Sequence, residues 1–192
     1  MTQPLDEDLV QRIDDLGPTR WSGTCYRHVS GQRDPLSGVG ARLIGGRWNP
    51  SGISTVYLAL PAHTCVAELD RLAASQNVTT DDLLRATPGR TLSTVVVRDL
   101  AVLDLRDPSA REQVGLDLDD IADDDRTACQ AVGQSADFLQ LGGVLAPSAT
   151  GGGLVCAVFE SRVAPGQLSV AESRPLTEEL YRELNSSHQP DP

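Results

Sequence analysis

Residues suited to chemistry on a phosphorylated substrate are concentrated between positions 38 and 68. A glycine-dense loop carrying Arg47 runs into a short apolar segment centred on Tyr57, and a helical pattern then brings Glu68 forward. Glycines let a backbone approach a ligand closely, and a guanidinium offers a rigid fork of donors suited to phosphate or diphosphate. These residue types together are compatible with an enzyme site.

The alternation of side chains along a strand predicted at 54–60 places Tyr57 on the side of a cleft. Tyr57 shares one face with Thr55 and Ala59, and the other face carries apolar residues expected in the core: Val56, Leu58 and Leu60. On the next helix Glu68 is expected at the border of the buried stripe, whose inward-facing residues are Val66, Leu69 and Leu72.

A purely structural interpretation of the same stretch is also open. Glycine and proline clusters commonly mark surface turns. Arg47 and Glu68 could form a structural ion pair, and Tyr57 could be a core aromatic residue whose hydroxyl is satisfied within the protein. Chemistry alone does not decide between these interpretations.

Four motifs, taken in their order along the chain, resemble those of RES-domain proteins. They are Gly-Gly-Arg-Trp-Asn-Pro-Ser-Gly at 45–52, Val-Tyr-Leu-Ala at 56–59, Ala-Glu at 67–68 and Ala-Pro-Ser-Ala at 146–149. RES-domain proteins are toxins of bacterial RES-Xre toxin-antitoxin pairs. Three further segments resemble the mycobacterial branch, whose members degrade NAD: Leu-Val-Gln-Arg-Ile-Asp at 9–14, Trp-Ser-Gly-Thr-Cys-Tyr-Arg at 21–27 and Val-Gly-Leu-Asp at 114–117.

The resemblance implies a role for each residue of the site. Glu68 would bind a ribose hydroxyl and stabilise the cation that develops as nicotinamide leaves. Arg47 would hold phosphate, with Arg27 as a second candidate. The other implied ligand contacts are Tyr26 and Tyr57 beside the nicotinamide, Ser148 at ribose or phosphate, and the loop residues Gly46, Trp48 and Asn49.

The activity implied by the resemblance is that of a NAD phosphorylase, which uses NAD and inorganic phosphate and releases nicotinamide and ADP-ribose-1″-phosphate. No cofactor beyond these substrates is expected. NAD hydrolysis, protein ADP-ribosylation and non-catalytic NAD binding are the alternatives. The implied partner is a cognate Xre-type antitoxin, and a homo-oligomer or a hetero-oligomer with that antitoxin is expected.

The expected fold class is mixed α/β, related to the ADP-ribosyltransferase fold, as the resemblance implies and the interspersed helical and strand patterns allow. Residues 1–192 are interpreted as a single RES domain with a core at about 20–165. A helix at 5–16 and another at 176–185 are interpreted as terminal additions. The other predicted elements are strands at 25–29, 91–97, 102–105 and 154–159, a helix at 126–141, and a short helix opened by Thr79.

Composition restricts the classes of partner. Acidic residues outnumber basic ones by 27 to 16, giving a formal net charge of −11. Such a charge disfavours nucleic acid and anionic membranes, because affinity for both depends on Lys and Arg. The sequence shows no apolar run of the ~18 residues that a membrane helix needs and no signal pattern at its start, so a cytoplasmic protein is expected.

Neither the cysteines nor the aspartates predict a metal site. Four cysteines are scattered singly and are expected as buried free thiols: Cys25, Cys65, Cys129 and Cys156. The six aspartates between 117 and 125 lack the glycine and the closing glutamate of a calcium loop. They are expected to be solvated and to favour the start of a helix.

Overall fold

The computed structural model describes residues 4–31 and 33–186. Its strands are β1 Thr19–Ser30, β2 Thr55–Leu60, β3 Arg90–Asp104, β4 Gly143–Pro147, β5 Leu154–Phe159 and β6 Leu168–Pro175. Its α-helices are α1 Glu7–Leu16, α2 Val39–Ile44, α3 Ala62–Ser75, α4 Thr80–Arg85, α5 Pro108–Val114, α6 Leu118–Ala122, α7 Thr127–Phe138 and α8 Glu178–Ser186. Strands and helices alternate irregularly along the chain, which confirms the predicted mixed α/β class.

The strands form one sheet in the order β1-β2-β5-β4-β3-β6, and β1 also pairs with β3. Five of them therefore close into a ring, and β6 extends from β3. All pairs are antiparallel except β3 with β4. The shortest pairing in the ring is that of β1 with β2, which among the described residues consists of Tyr26 opposite Ala59. The two strands are otherwise free to diverge there.

Three groups of buried residues hold the ring and its helices together. The first fills the inside of the ring, with members from all five strands such as Cys25, Leu58 and Val158. A second packs α1, α5 and α7 against β4 and β5, and includes Trp48 and Phe159. The third packs α3, α4 and α8 against β1 and β2. The helices therefore cover the ring from two sides and leave the β1–β2 junction between them.

Local sequence explains most of the helix boundaries. The Asp6 carboxylate accepts hydrogen bonds from the Asp8 and Leu9 amides at the start of α1, and Thr79 and Asp82 form a capping box at α4. Asp117 and Asp120 do the same at α6. Part of the aspartate run therefore serves as helix caps. No group of three or more His, Cys, Asp or Glu side chains within 4–31 and 33–186 is placed to hold a metal ion.

Several elements differ from the sequence-based expectations: α5 and β6 were not predicted, and the strand predicted at 25–29 is the longer β1. The segments predicted as separate strands at 91–97 and 102–105 are one strand, β3, which continues through Asp99 in a positive-φ conformation of 46°. This bend lies next to a register shift in β1, so the strand turns without losing its partner. Part of the loop before Tyr57 is helical, because α2 occupies Val39–Ile44 between Gly38 and Gly45.

Within the described part of the chain, no helix is long and apolar enough to cross a membrane. All four cysteines are buried free thiols, as expected. Burial raises the pKa of the Cys25 thiol to about 12, and it raises that of Cys156 well above its ordinary value. Both thiols are therefore protonated packing groups within the ring.

Gly143 provides a test of this packing. A Cβ added there would collide with the Ala157 carbonyl oxygen and lie 3.1 Å from its carbonyl carbon, because β4 and β5 are in close contact. Gly143→Ala is expected to lower the free energy of unfolding by about 1–3 kcal/mol. Gly40→Ala in α2 is the control, since nothing lies within 4 Å of its added Cβ. Urea denaturation measures both, and equal stabilities for the two variants would contradict the packing.

Candidate active site

A cavity of about 630 Å³ lies beside the β1–β2 junction, between α3 and the segment 46–48. Seven of the nine predicted site residues line it: Tyr26, Arg27, Gly46, Arg47, Trp48, Tyr57 and Glu68. Ser148 and Asn49 stand directly behind this wall, in contact with Glu68 and Tyr57 respectively. Residues that lie more than 100 positions apart in sequence are therefore assembled around one cavity.

Glu68 projects into the cavity from α3, at the edge of the face that buries Val66 and Leu69. The Ser148 hydroxyl donates a hydrogen bond of 3.0 Å to Glu68 Oε1. Ser148 is only 5% exposed, and its Oγ also accepts a bond from the Thr150 amide. One carboxylate oxygen is thereby fixed in direction by a buried hydroxyl. The position of Glu68 at the border of the buried stripe agrees with the helical pattern of the sequence.

The Tyr57 hydroxyl joins the strand to the loop before it. It accepts a hydrogen bond of 2.7 Å from the Trp48 amide and donates one of 2.7 Å to Asn49 Oδ1. Burial, the largest cause, raises the pKa of Tyr57, so the phenol stays protonated and able to donate. The ring lines the cavity while the hydroxyl is satisfied within the protein. Both interpretations considered for Tyr57 in the sequence therefore describe part of its environment.

Asn49 and Trp48 make contacts different from those expected of ligand-binding residues. The Asn49 amide nitrogen donates to the carbonyl oxygens of Ala41, Pro50 and Ile53, and the residue is 0% exposed. Trp48 is also 0% exposed and packs in the core beside α7, although it adjoins the cavity. Because no solvent reaches either side chain, a ligand would have to displace protein contacts to touch them. These residues shape the loop.

Gly46 lies against the Tyr57 ring. A Cβ added at Gly46 would lie 2.7 Å from Cε2 of that ring, so this close approach excludes a side chain. The adjacent Gly45 has a φ of 77°, a backbone conformation that glycine adopts readily. Together these requirements explain why two glycines precede Arg47 in the motif.

Arg47 and Arg27 differ in how their donors are used. Arg27 donates to the Pro35 carbonyl at 2.7 Å and to the Ser37 carbonyl at 3.0 Å, and burial lowers its pKa. Arg47 Nη1 is buried and has no hydrogen-bond partner among residues 4–31 and 33–186. A buried guanidinium donor left unpaired is unfavourable unless a ligand satisfies it. Arg47 is therefore a stronger candidate than Arg27 for binding an anion.

Arg71 and Arg126 also line the cavity, although neither was predicted from the sequence as a site residue. Arg71 forms an ion pair of 2.9 Å with Asp124, whereas the Arg126 side chain makes no hydrogen bond or ion pair within the described residues. Arg71 follows Glu68 by one helical turn, a spacing that could have identified it. Four arginines and two carboxylates, those of Glu68 and Asp124, thus line the cavity, which gives it local positive charge on an acidic protein.

Comparison with known proteins identifies the family. The RES-domain model matches residues 19–180. The chain belongs to the RES-domain family. Two curated relatives, each named "NAD(+) phosphorylase MbcT", come from Mycobacterium tuberculosis strain H37Rv and Mycobacterium bovis strain AF2122/97. Each is 50% identical over 188 residues, which cover 97% of this chain and 100% of the relative.

A solved structure supports the same membership. The RES domain of this chain matches a chain in the "Crystal structure of the M.tuberculosis MbcT-MbcA toxin-antitoxin complex". The TM-score is 0.88 at 50% identity, with 95% of this chain and 100% of that chain covered. The predicted family is therefore confirmed by both sequence and fold.

His28 also lines the cavity of this RES domain, where it accepts a hydrogen bond at Nδ1 from Arg90 Nη2 at 2.7 Å. Burial, followed by the charges of Arg90 and Arg27, lowers its pKa from 6.5 to about 3. The ring is therefore neutral at physiological pH, with its remaining proton on Nε2. The bond to Arg90 gives His28 a structural role in the wall of the cavity.

The depressed pKa predicts a pH dependence of stability. Between pH 6.5 and about 3 the unfolded chain binds the His28 proton and the folded chain does not. The His28 contribution to the free energy of unfolding is thus present above pH 6.5 and decreases as the pH falls. His28→Gln cannot titrate but can still accept from Arg90, so its melting temperature should fall less between pH 7 and pH 4.5. Parallel pH profiles for the two proteins would contradict this assignment.

Proposed function

We propose that this chain is a NAD phosphorylase that acts as the toxin of a toxin-antitoxin pair. One observation carries the proposal: Arg47 Nη1, buried in the wall of the cavity that also holds Glu68, has no hydrogen-bond partner in the part of the chain that the structure describes. This nitrogen can donate a hydrogen bond to a phosphate substrate. The carboxylate of Glu68 supplies the negative charge that stabilises a ribosyl cation. The name of the relatives at 50% identity supports the same activity.

The reaction breaks the bond between C1″ of the ribose and the nicotinamide nitrogen. The electron pair of that bond returns to the pyridinium ring, so nicotinamide leaves as a neutral molecule without needing a proton. Positive charge develops on the ribose, as in glycoside hydrolysis. The Glu68 carboxylate, oriented by Ser148, stabilises that charge and binds a ribose hydroxyl. A phosphate oxygen then bonds to C1″, which gives ADP-ribose-1″-phosphate and releases a proton.

Each remaining group has a binding role. Arg47 holds the phosphate, and Arg126 adds a second positive charge at the cavity rim. Tyr26 and the Tyr57 ring frame the nicotinamide side. Arg27 keeps the segment 35–37 in place and contributes charge. Charged donors hold a phosphate anion in place and give no comparable hold on neutral water. The site therefore favours phosphate as the group that accepts the ribosyl unit.

Control by a partner follows from the toxic activity. A protein that consumes NAD in the cytoplasm must be inhibited in its own cell, and the matched structure is that of a toxin-antitoxin complex. The proposed partner is a cognate Xre-type antitoxin that restricts access to this cavity.

Glu68→Gln tests the role of the carboxylate. The amide keeps the shape and can still accept from Ser148, but it lacks the charge that opposes the ribosyl cation. Turnover of NAD is expected to fall at least ~100-fold, with an unchanged melting temperature. Glu179→Gln, at an exposed position in α8, is the matched control. A Glu68→Gln protein with more than a tenth of wild-type activity would mean that another carboxylate acts.

The choice of acceptor has its own test. NAD turnover is expected to rise with phosphate concentration and to saturate, with ADP-ribose-1″-phosphate as the main product by mass spectrometry. Sodium chloride at matched ionic strength controls for general salt effects on a protein of net charge −11. Equal rates without phosphate, with plain ADP-ribose as the product, would make the chain a hydrolase.

A further inference from the structure

One face of α7 contacts three consecutive residues of the loop that carries Arg47. The contacting residues are Cys129, Gln130 and Gly133, and Gly133 lies next to both of the others on the helix surface because it follows them by four and three positions. Gln130 Nε2 donates a hydrogen bond of 2.8 Å to the Gly46 carbonyl oxygen. Burial raises the pKa of the Cys129 thiol and the charge of Arg47 opposes that rise, so the guanidinium lies near this face. This face therefore reaches Arg47 and the residue before it.

Gly133 reaches the residue after Arg47. A Cβ added at Gly133 would collide with the Trp48 carbonyl oxygen and would lie 2.6 Å from its carbonyl carbon. These are backbone atoms, and Trp48 is fully buried, so neither can move aside easily. The helix and the loop thus touch closely at a point where only glycine fits.

We propose that Gln130 and Gly133 are positioning residues that set the direction of the Arg47 guanidinium. The inference rests on the proposed function, in which Arg47 holds phosphate. The peptide before Arg47 is held by Gln130, and the residue after it is held by Gly133 on one side and by the Tyr57 hydroxyl on the other. Because both neighbours are fixed, the Cα of Arg47 is fixed as well. This sets the direction in which the side chain leaves the backbone.

This arrangement explains how an unpaired guanidinium donor persists in the wall. A mobile loop would let Arg47 turn toward water, because solvation of Nη1 is more favourable than burial without a partner. Contacts from α7 oppose that movement. The anion site is therefore formed before phosphate arrives, which lowers the ordering cost of binding.

Gln130→Met tests the hydrogen bond, because it preserves length and removes the donor. The KM for phosphate is expected to rise by roughly fivefold or more, the loss that one hydrogen bond implies, with the KM for NAD changed less than twofold. Gly133→Ala should raise the phosphate KM further. Ala136→Gly is the control, since it weakens the buried side of the same helix and leaves both the Gln130–Gly46 hydrogen bond and Gly133 in place.

A second measurement reads phosphate binding without activity. The phosphate-dependent rise in melting temperature, taken without NAD, should be smaller in both loop-contact variants than in the wild type and in Ala136→Gly. Phosphate could raise the melting temperature of the wild type without raising its rate of NAD turnover. That result would rule out phosphorolysis, and the melting shifts of the variants would still decide the positioning inference.

The inference is overturned by either of two results. One is a Gln130→Met protein with the wild-type phosphate KM and melting response. The other is an equal loss of phosphate affinity in Ala136→Gly, which would show that general loosening of α7 is sufficient.

Discussion

The hydroxyl of Tyr57 is the contact on which the site depends. It binds the Trp48 amide and the Asn49 side chain at once, and it lies on a strand whose register with β5 is continuous from Thr55 to Leu60. A continuously paired strand thereby fixes a loop segment that lies outside the named strands and helices. Arg47 sits next to this contact and takes its position from it.

The ring of strands supplies the opening and the opposite wall. Because β1 and β2 are joined at Tyr26 and Ala59, the strands leave room for a cavity without breaking the closed sheet. Glu68 enters from α3, and Ser148 holds it from the end of β4. The charged groups thus come from separate elements with independent packing. Their relative position is a property of the whole fold rather than of one motif.

The sequence predicted the local features of this site more completely than the distant ones. Alternation along β2 and the helical stripe of α3 placed Tyr57 and Glu68 correctly, since both periods are short. The motifs identified the RES family. Gln130 and Gly133 were missed, because they lie more than 80 positions from the loop and nothing in α7 marks the face that meets it. Asn49 and Trp48 belong to the motif, and only the fold shows that their side chains point into the protein.

The most direct measurement is a crystal structure of the Glu68→Gln protein soaked with phosphate and NAD. The account predicts a phosphate oxygen within hydrogen-bond distance of Arg47 Nη1, with the nicotinamide ribose between that phosphate and residue 68. Trp48 and Asn49 should keep their present contacts with Tyr57. NAD bound with Arg47 Nη1 still unpaired, and phosphate absent from the cavity or held elsewhere, would contradict the account.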